Sequence, residues 1–376
     1  MLPICAKIGA ATTGVRLVAE YSIGDPDFAW GTELDAYTDL VRRLLFRLSA
    51  DQAHALARLA LRWPAVWRPF GRSEAHPRLE TNLAGVRLPT PIGLAPGFDK
   101  SGELLPGLSR LGFGYLMCGS ITKEPRYGNP FPRLVRYPER QSIANSMGLP
   151  NPGLLAAAAF LRKGPKEVPV MASVAGFSAA ELVASALALE PYVAATEIGL
   201  VCPNTSETER LEEMRTFTEL AAELGRRKSK PVFVKLPPHH DDVRRQQVQA
   251  MVDACVGAGL DGVSLSGTRP IEEPRLGMGR GSLAGRDVFH DSLRIVRDVA
   301  ERAAGRLAIK GAGGVSTGRD ADDMLAAGAD SVELYSAFIY RGWNVARLIA
   351  RELLAELDAR GVEAVAAIRP VASVPA

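Results

Sequence analysis

From about residue 80 onward the chain alternates short apolar runs with longer stretches whose apolar positions recur at helical spacing. The runs Ile92 to Ala95, Tyr115 to Gly119, Val168 to Ala172, Ala194 to Leu200, Val232 to Leu236, Gly262 to Ser266, Leu307 to Lys310 and Ser331 to Leu334 predict eight strands. Between them, Phe217 to Arg227, Gln246 to Gly257 and Ala321 to Ala327 predict helices. Unbroken apolar strands alternating with helices call for a parallel sheet covered on both faces. Eight such units in roughly 270 residues fit a closed (β/α)8 TIM barrel, an α/β fold, better than an open dinucleotide-binding sheet, for which no early glycine fingerprint is present. A barrel directs attention to the C-terminal ends of its strands.

Ahead of the barrel, residues 36 to 68 predict two short helices, Tyr37 to Leu48 and Ala53 to Trp63, with Asp51 as N-cap of the second and Pro64 as its stop. Leu40, Leu44, Leu45 and Leu48 share one face, and Arg42, Arg43 and Arg47 lie mostly elsewhere. Two readings are open. The pair is either a hairpin packed on its own domain or an interfacial membrane element, and Phe46, Trp63, Trp67 and Phe70 add weight to the second. Residues 1 to 19 lack the ~20-residue apolar stretch that a span needs. Glu20, Asp25 and Asp27 argue against a cleaved targeting sequence. The expected organisation is a segment whose order the pattern does not fix (1–35), a helical hairpin (36–75), a barrel (76–360) and a tail (361–376).

Composition narrows the function classes. With 47% hydrophobic and 23% charged residues the chain can fill a core, which excludes disordered and disulfide-scaffold classes. Lys plus Arg exceed Asp plus Glu by 45 to 42, a net charge of +3 that gives no nucleic-acid signature. The four cysteines have neither metal-ligand nor framework spacing, so a reducing compartment and no metal are expected.

At the predicted strand ends, Gly311, Gly313 and Gly314 follow strand 7, and Tyr335-Ser336 follow strand 8. Clustered glycines let backbone N–H groups converge on an anion, and the loops after strands 7 and 8 are the usual phosphate site of this barrel. Lys235 ends strand 5 and Lys100 follows strand 1, so two cations in one barrel mouth point to an anionic or electron-accepting ligand. Cys202, in Val-Cys-Pro-Asn-Thr after strand 4, is either a small buried filler or a thiol presented at the strand-end face. Cys118 and Cys255 fit the filler reading.

With Ala95-Pro96-Gly97-Phe98-Asp99-Lys100, Gly119-Ser120-Ile121-Thr122, Asn145-Ser146-Met147-Gly148, Pro203-Asn204-Thr205, Lys235, Gly313-Gly314 and Tyr335-Ser336 in this order, the chain resembles the dihydroorotate dehydrogenases from about residue 36 to 355. Val41 to Phe46 and Ala53-His54-Ala55 resemble the N-terminal helices of the membrane-linked class 2 branch, which tips the hairpin towards the membrane reading. The resemblance implies FMN in the barrel mouth, hydride transfer from dihydroorotate, a base that removes a proton, and a membrane quinone as electron acceptor. It implies that Ala95, Gly97, Ser120, Ser173, Lys235, Ser266, Gly285, Gly313, Gly314, Tyr335 and Ser336 hold FMN. Lys100, Asn145, Met147, Gly148, Leu149, Asn204 and Thr268 would hold the substrate, and Cys202 would be the base. His54, Arg136 and Tyr335 would serve the quinone, and the protein would sit on the inner face of the cell membrane from the cytoplasm.

Some positions depart from the family pattern. Cys202 stands where class 2 enzymes carry serine and class 1 enzymes cysteine. Gly199 and Gly267 stand at positions of ring-gripping asparagines, Ser173 replaces another asparagine, and Ala284 a serine. Each lost buried asparagine contact is worth ~1–3 kcal/mol, so an enlarged ring end of the pocket is expected. These glycines are the case for a rival reading, an FMN-dependent dehydrogenase or ene-reductase of another unsaturated carboxylate. An RNA-modifying barrel is disfavoured by the near-neutral charge.

Overall fold

A computed structural model describes residues 36–70, 76–165, 167–200 and 209–368. Cys202 and Asn204 lie outside the described residues, as do residues 1–35, part of the hairpin region (71–75) and the end of the tail (369–376). Residues 36–376 form one compact unit.

In chain order the strands are β1 (Thr81–Leu83), β2 (Val86–Leu88), β3 (Ile92–Asp99), β4 (Tyr115–Ile121), β5 (Leu134–Tyr137), β6 (Ser142–Asn145), β7 (Val170–Ala175), β8 (Ala195–Gly199), β9 (Val232–Lys235), β10 (Gly262–Ser266), β11 (Arg269–Glu272), β12 (Arg280–Gly285), β13 (Ala308–Ala312) and β14 (Ser331–Leu334). The helices are α1 (Arg42–Leu45), α2 (Ala50–Leu61), α3 (Leu105–Leu108), α4 (Leu154–Arg162), α5 (Ala179–Leu189), α6 (Met214–Arg227), α7 (Asp242–Gly257), α8 (Phe289–Ala303), α9 (Gly318–Ala326), α10 (Ser336–Arg341) and α11 (Val345–Arg360). The eight expected strands close a parallel barrel in the order β3-β4-β7-β8-β9-β10-β13-β14. Their apolar sequences follow from burial on both faces, by the barrel interior and by the surrounding helices. Cys118 and Cys255 are buried within this packing, as small apolar residues are.

Two additions were not visible in the periodicity. The β1–β2 hairpin sends Leu83 and Leu88 against Tyr115, Met117, Met171 and Phe233. An antiparallel sheet, β11-β12-β6-β5, is built from the chain after β4 and after β10. Those segments leave the C-terminal ends of barrel strands, so this sheet stands at the mouth where chemistry is expected.

The N-terminal helices differ from the expected boundaries. Tyr37–Val41 is a π-turn that runs into α1, and α2 begins two residues earlier than Asp51 would set it. Ser49 is its N-cap: the hydroxyl accepts from the Gln52 N–H while the Gln52 side chain accepts from the Ser49 N–H. Asp51 instead accepts the Arg133 backbone N–H at 2.9 Å and ties the helix to the loop before β5. The inner side of the pair is fixed to the barrel unit by Tyr37 Oη to Ile339 O (2.5 Å), Arg42 to Tyr340 O (3.0 Å) and Arg136 to Leu45 O (3.3 Å). On the outer side Leu40, Leu44, Leu56, Leu59 and Trp63 are exposed. The pair is thus packed on its own domain along one side and presents exposed apolar residues on the other.

Candidate functional site

The strand ends and the antiparallel sheet enclose a cavity of about 510 Å³. Among the described residues, every one expected to hold substrate or cofactor lines it except Ser173. Ser173 is fully buried behind the wall, 2.9 Å from the Ser120 hydroxyl, so it supports Ser120 and does not face the cavity.

Local folding explains the placement of Lys100. The Asp99 carboxylate accepts the N–H groups of Ser101 (3.2 Å), Gly102 (2.8 Å) and Leu104 (3.0 Å), which wraps the loop after β3 around it. Lys100 is thereby held in the wall, and its ammonium donates to Gly97 O. Burial, with the Arg58 charge adding to it, brings that ammonium down to about 7. An anion bound beside it would restore the charge. Asn145, at the end of β6, donates to Ser282 O on β12 at 3.2 Å, which fixes the amide at the cavity wall.

The loop expected to cradle an anion is shaped by its backbone. Gly313 and Gly314 have φ of 106° and 83°, in the region that side chains avoid. A Cβ on Gly313 would lie 2.2 Å from Ser292 Oγ and one on Gly314 2.7 Å from Phe289 Cβ, so space as well as conformation demands glycine. Asp320 accepts the N–H groups of Ser316 and Thr317 at 2.9 Å each and pairs with Arg286, pinning the loop. Lys235, at the end of β9, lines the same cavity, and its ammonium forms no hydrogen bond to a described residue.

The two departures at glycine do not enlarge the ring end as expected. A Cβ on Gly267 would fall 2.6 Å from Ser292 N and Oγ, because α8 fills that space. Gly267 N–H donates to Ser292 Oγ (2.9 Å), which in turn donates to Val288 O (2.8 Å). Gly199 would place a Cβ 3.2 Å from Val174 O. Neither glycine lines the cavity.

A second cavity of about 260 Å³ lies between the N-terminal helices and the barrel unit. His54 and Arg136, two of the three residues that the resemblance assigns to a quinone, line it, whereas the third, Tyr335, lines the first cavity. The Tyr335 ring meets Phe98, a wall residue of the second cavity, at 6.0 Å, and Leu134 and Ile143 line both spaces. His54 Nε2 is buried without a hydrogen bond to any described residue, and burial, followed by the charges of Lys100 and Arg58, lowers this imidazole to about 3. It is a neutral ring edge-on to Phe98 at 5.4 Å.

Three residues of the barrel interior were not singled out from the sequence. Lys310 Nζ donates to Glu197 (2.6 Å) and Glu333 (3.0 Å) in a buried cluster. The available signal was a charged residue inside an otherwise apolar parallel strand, as in Ala-Thr-Glu-Ile, Ala-Ile-Lys-Gly and Ser-Val-Glu-Leu.

A family model described as dihydroorotate dehydrogenase matches residues 78–357. The dihydroorotate dehydrogenase (quinone) of Mycobacterium ulcerans is 33% identical over 321 residues, covering 81% of this chain and 88% of that protein. The protein of the same name from Chloroflexus aurantiacus is 34% identical over 301 residues, covering 74% and 82%. Among solved structures, DHODH from Eimeria tenella in complex with ferulenol superposes with a TM-score of 0.76 at 27% identity, over 86% of this chain and 96% of that one.

Proposed function

The chain belongs to the dihydroorotate dehydrogenase family, and from that premise we propose that it oxidises dihydroorotate to orotate and passes the electrons to a quinone, a step of pyrimidine biosynthesis. The observation that carries this reading is the pair of adjoining cavities. One is lined by Lys100, Asn145 and Lys235 among its polar residues, and the other is apolar and reached across Tyr335 and Phe98. A family of flavin-dependent oxidoreductases needs a place for each half-reaction, and the shared wall of Leu134 and Ile143 keeps the two close.

The cofactor is FMN. The glycine cradle of Gly285, Gly313 and Gly314, each with positive φ, suits a terminal phosphate. When bound, FMN supplies the hydride acceptor. Lys235, whose ammonium makes no hydrogen bond to a described residue, stabilises negative charge on that acceptor. Lys100 and Asn145 hold the substrate carboxylate with the backbone of Met147, Gly148 and Leu149, while Thr268 and Asn204 meet the pyrimidine ring. Cys202 removes the C5 proton. His54, neutral and with an unused ring nitrogen, is the hydrogen-bonding group for a quinone carbonyl.

Anaerobic addition of dihydroorotate should bleach the flavin absorbance of the purified yellow protein, and a hydrophobic quinone should restore it. A flavin-loaded protein that dihydroorotate leaves oxidised would return the rival carboxylate to first place. A colourless protein that FMN does not reconstitute would remove the cofactor reading itself.

The outer face of the N-terminal helices is the docking surface for the inner face of the membrane. No helix among the described residues is long and apolar enough to cross a membrane, whereas Leu44, Leu59 and Trp63 are 53%, 52% and 65% exposed beside Arg43, Arg47 and Arg62. That pairing of apolar and basic residues suits an anionic bilayer surface. The combined change Leu44→Glu and Leu59→Glu alters exposed positions only. It should abolish co-sedimentation with anionic vesicles and lower turnover with a long-chain quinone by ~10-fold or more, leaving flavin reduction by substrate unchanged. Undiminished vesicle binding would show that the face is not the membrane contact.

A further inference from the structure

The enclosed cluster in the barrel contains two carboxylates and one ammonium. Lys310 Nζ lies 2.6 Å from Glu197 Oε2 and 3.0 Å from Glu333 Oε1, with side-chain exposures of 0%, 0% and 3%. Ser264 Oγ donates to Glu197 Oε2 at 2.5 Å, and the Tyr115 hydroxyl donates to Glu333 Oε1 at 3.3 Å. An unmatched charge in such a place is costly, so the second carboxylate needs either a proton or a second cation.

Lys235 is the cation within reach. It stands beside Ser264 of β10 and Gly199 of β8 in the sheet register, and its charge draws on both carboxylates. Glu333 is placed differently from Glu197. It lines the cavity in which Lys235 also stands, whereas Glu197 does not. Both hydrogen bonds to Glu333 are accepted by Oε1, and Oε2 accepts none from a described residue. Around Glu333, β13 contributes Lys310, β8 Glu197, β4 Tyr115, β9 Lys235 and its own strand Ser331, while β3 presents only Gly93 opposite it.

We infer that Glu333 acts through Lys235 as a positioning residue that exchanges a proton with solvent in step with flavin reduction. The inference rests on the flavin reading above. With the flavin oxidised, Lys310 and Lys235 balance Glu197 and an ionised Glu333. Hydride transfer would bring two electrons and one proton onto the flavin, the substrate's other proton would go to the base, and one negative charge would be added in the cavity that Lys235 and Glu333 line. A separate proton from solvent then converts the Glu333 carboxylate to the acid, and it leaves when the electrons pass to quinone. Burial, only partly opposed by Lys310 and reinforced by Glu197, already raises the Glu333 carboxyl above its usual range, which favours that uptake.

The test is the proton count of the holoenzyme. Flavin-loaded protein is reduced coulometrically without oxygen, in weakly buffered solution at neutral pH with an indicator dye and no substrate. Wild type should take up more than one and at most two protons per two electrons, and Glu333→Gln, which keeps an oxygen for Tyr115 and Lys310, should take up one. Glu197→Gln should retain the extra proton. Equal counts for wild type and Glu333→Gln, or loss of the extra proton only in Glu197→Gln, overturns the assignment. Wild type alone gives an independent reading: the reduced-minus-oxidised infrared difference spectrum should gain a carboxylic-acid C=O band. Absence of that band overturns the proposal even if the variant does not fold. A protein that binds no flavin refutes the underlying cofactor reading, and flavin bound without the extra proton refutes only the role of Glu333.

Discussion

Cys202→Ala should slow flavin reduction by dihydroorotate by ~10²–10⁴ with little change in FMN content, the range for losing a positioned base. The C5 proton is α to a carbonyl and must leave as the hydride departs, so the step needs an acceptor. A free thiol has a pKa of ~8.5, far below a serine hydroxyl, and the thiolate is accessible at ordinary pH. Flavin reduction should therefore rise with pH through the thiol pKa in the native chain. Cys202→Ser should fall between native and alanine, with its pH dependence moved upward, because a hydroxyl gives up its proton less readily. Anaerobic stopped flow at saturating substrate measures all three. A Cys202 that merely fills space predicts a less stable alanine variant with a near-native chemical step, and that result would sink the assignment.

The barrel was legible because parallel strands buried on both faces must be apolar throughout, and runs such as Val232–Lys235 and Gly262–Ser266 have few other uses. The strands β5, β6, β11 and β12 were not. Arg269–Glu272 contains Arg, Pro and Glu and is mostly exposed, so neither alternation nor composition marks it. The start of α2 depended on a reciprocal Ser49–Gln52 cap that outcompeted Asp51 two residues on. The residues at strand ends that line the first cavity were readable as candidates because the fold itself fixes where they face. Gly267 was misread for the opposite reason: Ser292, which occupies its missing side chain's space, is 25 residues away along the chain, and no local pattern reports it. The charges of Lys310, Glu197 and Glu333 sit on three different strands, and only the closed barrel brings them to 3.0 Å or less.

Replacing Lys310 with methionine should therefore lower folding stability at neutral pH by about 3–5 kcal/mol, the cost of removing one partner from a buried ion pair. Methionine is close to lysine in length and apolar, so most of the loss reports the stranded carboxylates and little of it a void. The pH dependence separates the two. In the native chain burial works against the Glu197 charge, but the Lys310 ammonium outweighs it and brings the carboxyl down to about 2. That is below the ~4.3 of an unfolded glutamate, so its contribution is complete above that value and fades as the pH falls towards 2. Without Lys310, burial dominates and the carboxyl rises above the unfolded value, which makes the folded variant bind protons more tightly than the unfolded chain. The Glu197 contribution to stability then increases on acidification in the variant, whereas in the native chain it decreases. The gap in denaturant unfolding free energy should be widest above pH ~5 and should narrow as the pH is lowered. Adding Glu197→Gln to Lys310→Met should recover part of the loss, because it removes a charge that no longer has a partner. A gap that is independent of pH, with no recovery in the double variant, would mean that lysine only fills space there and that the cluster is not an ion-paired one.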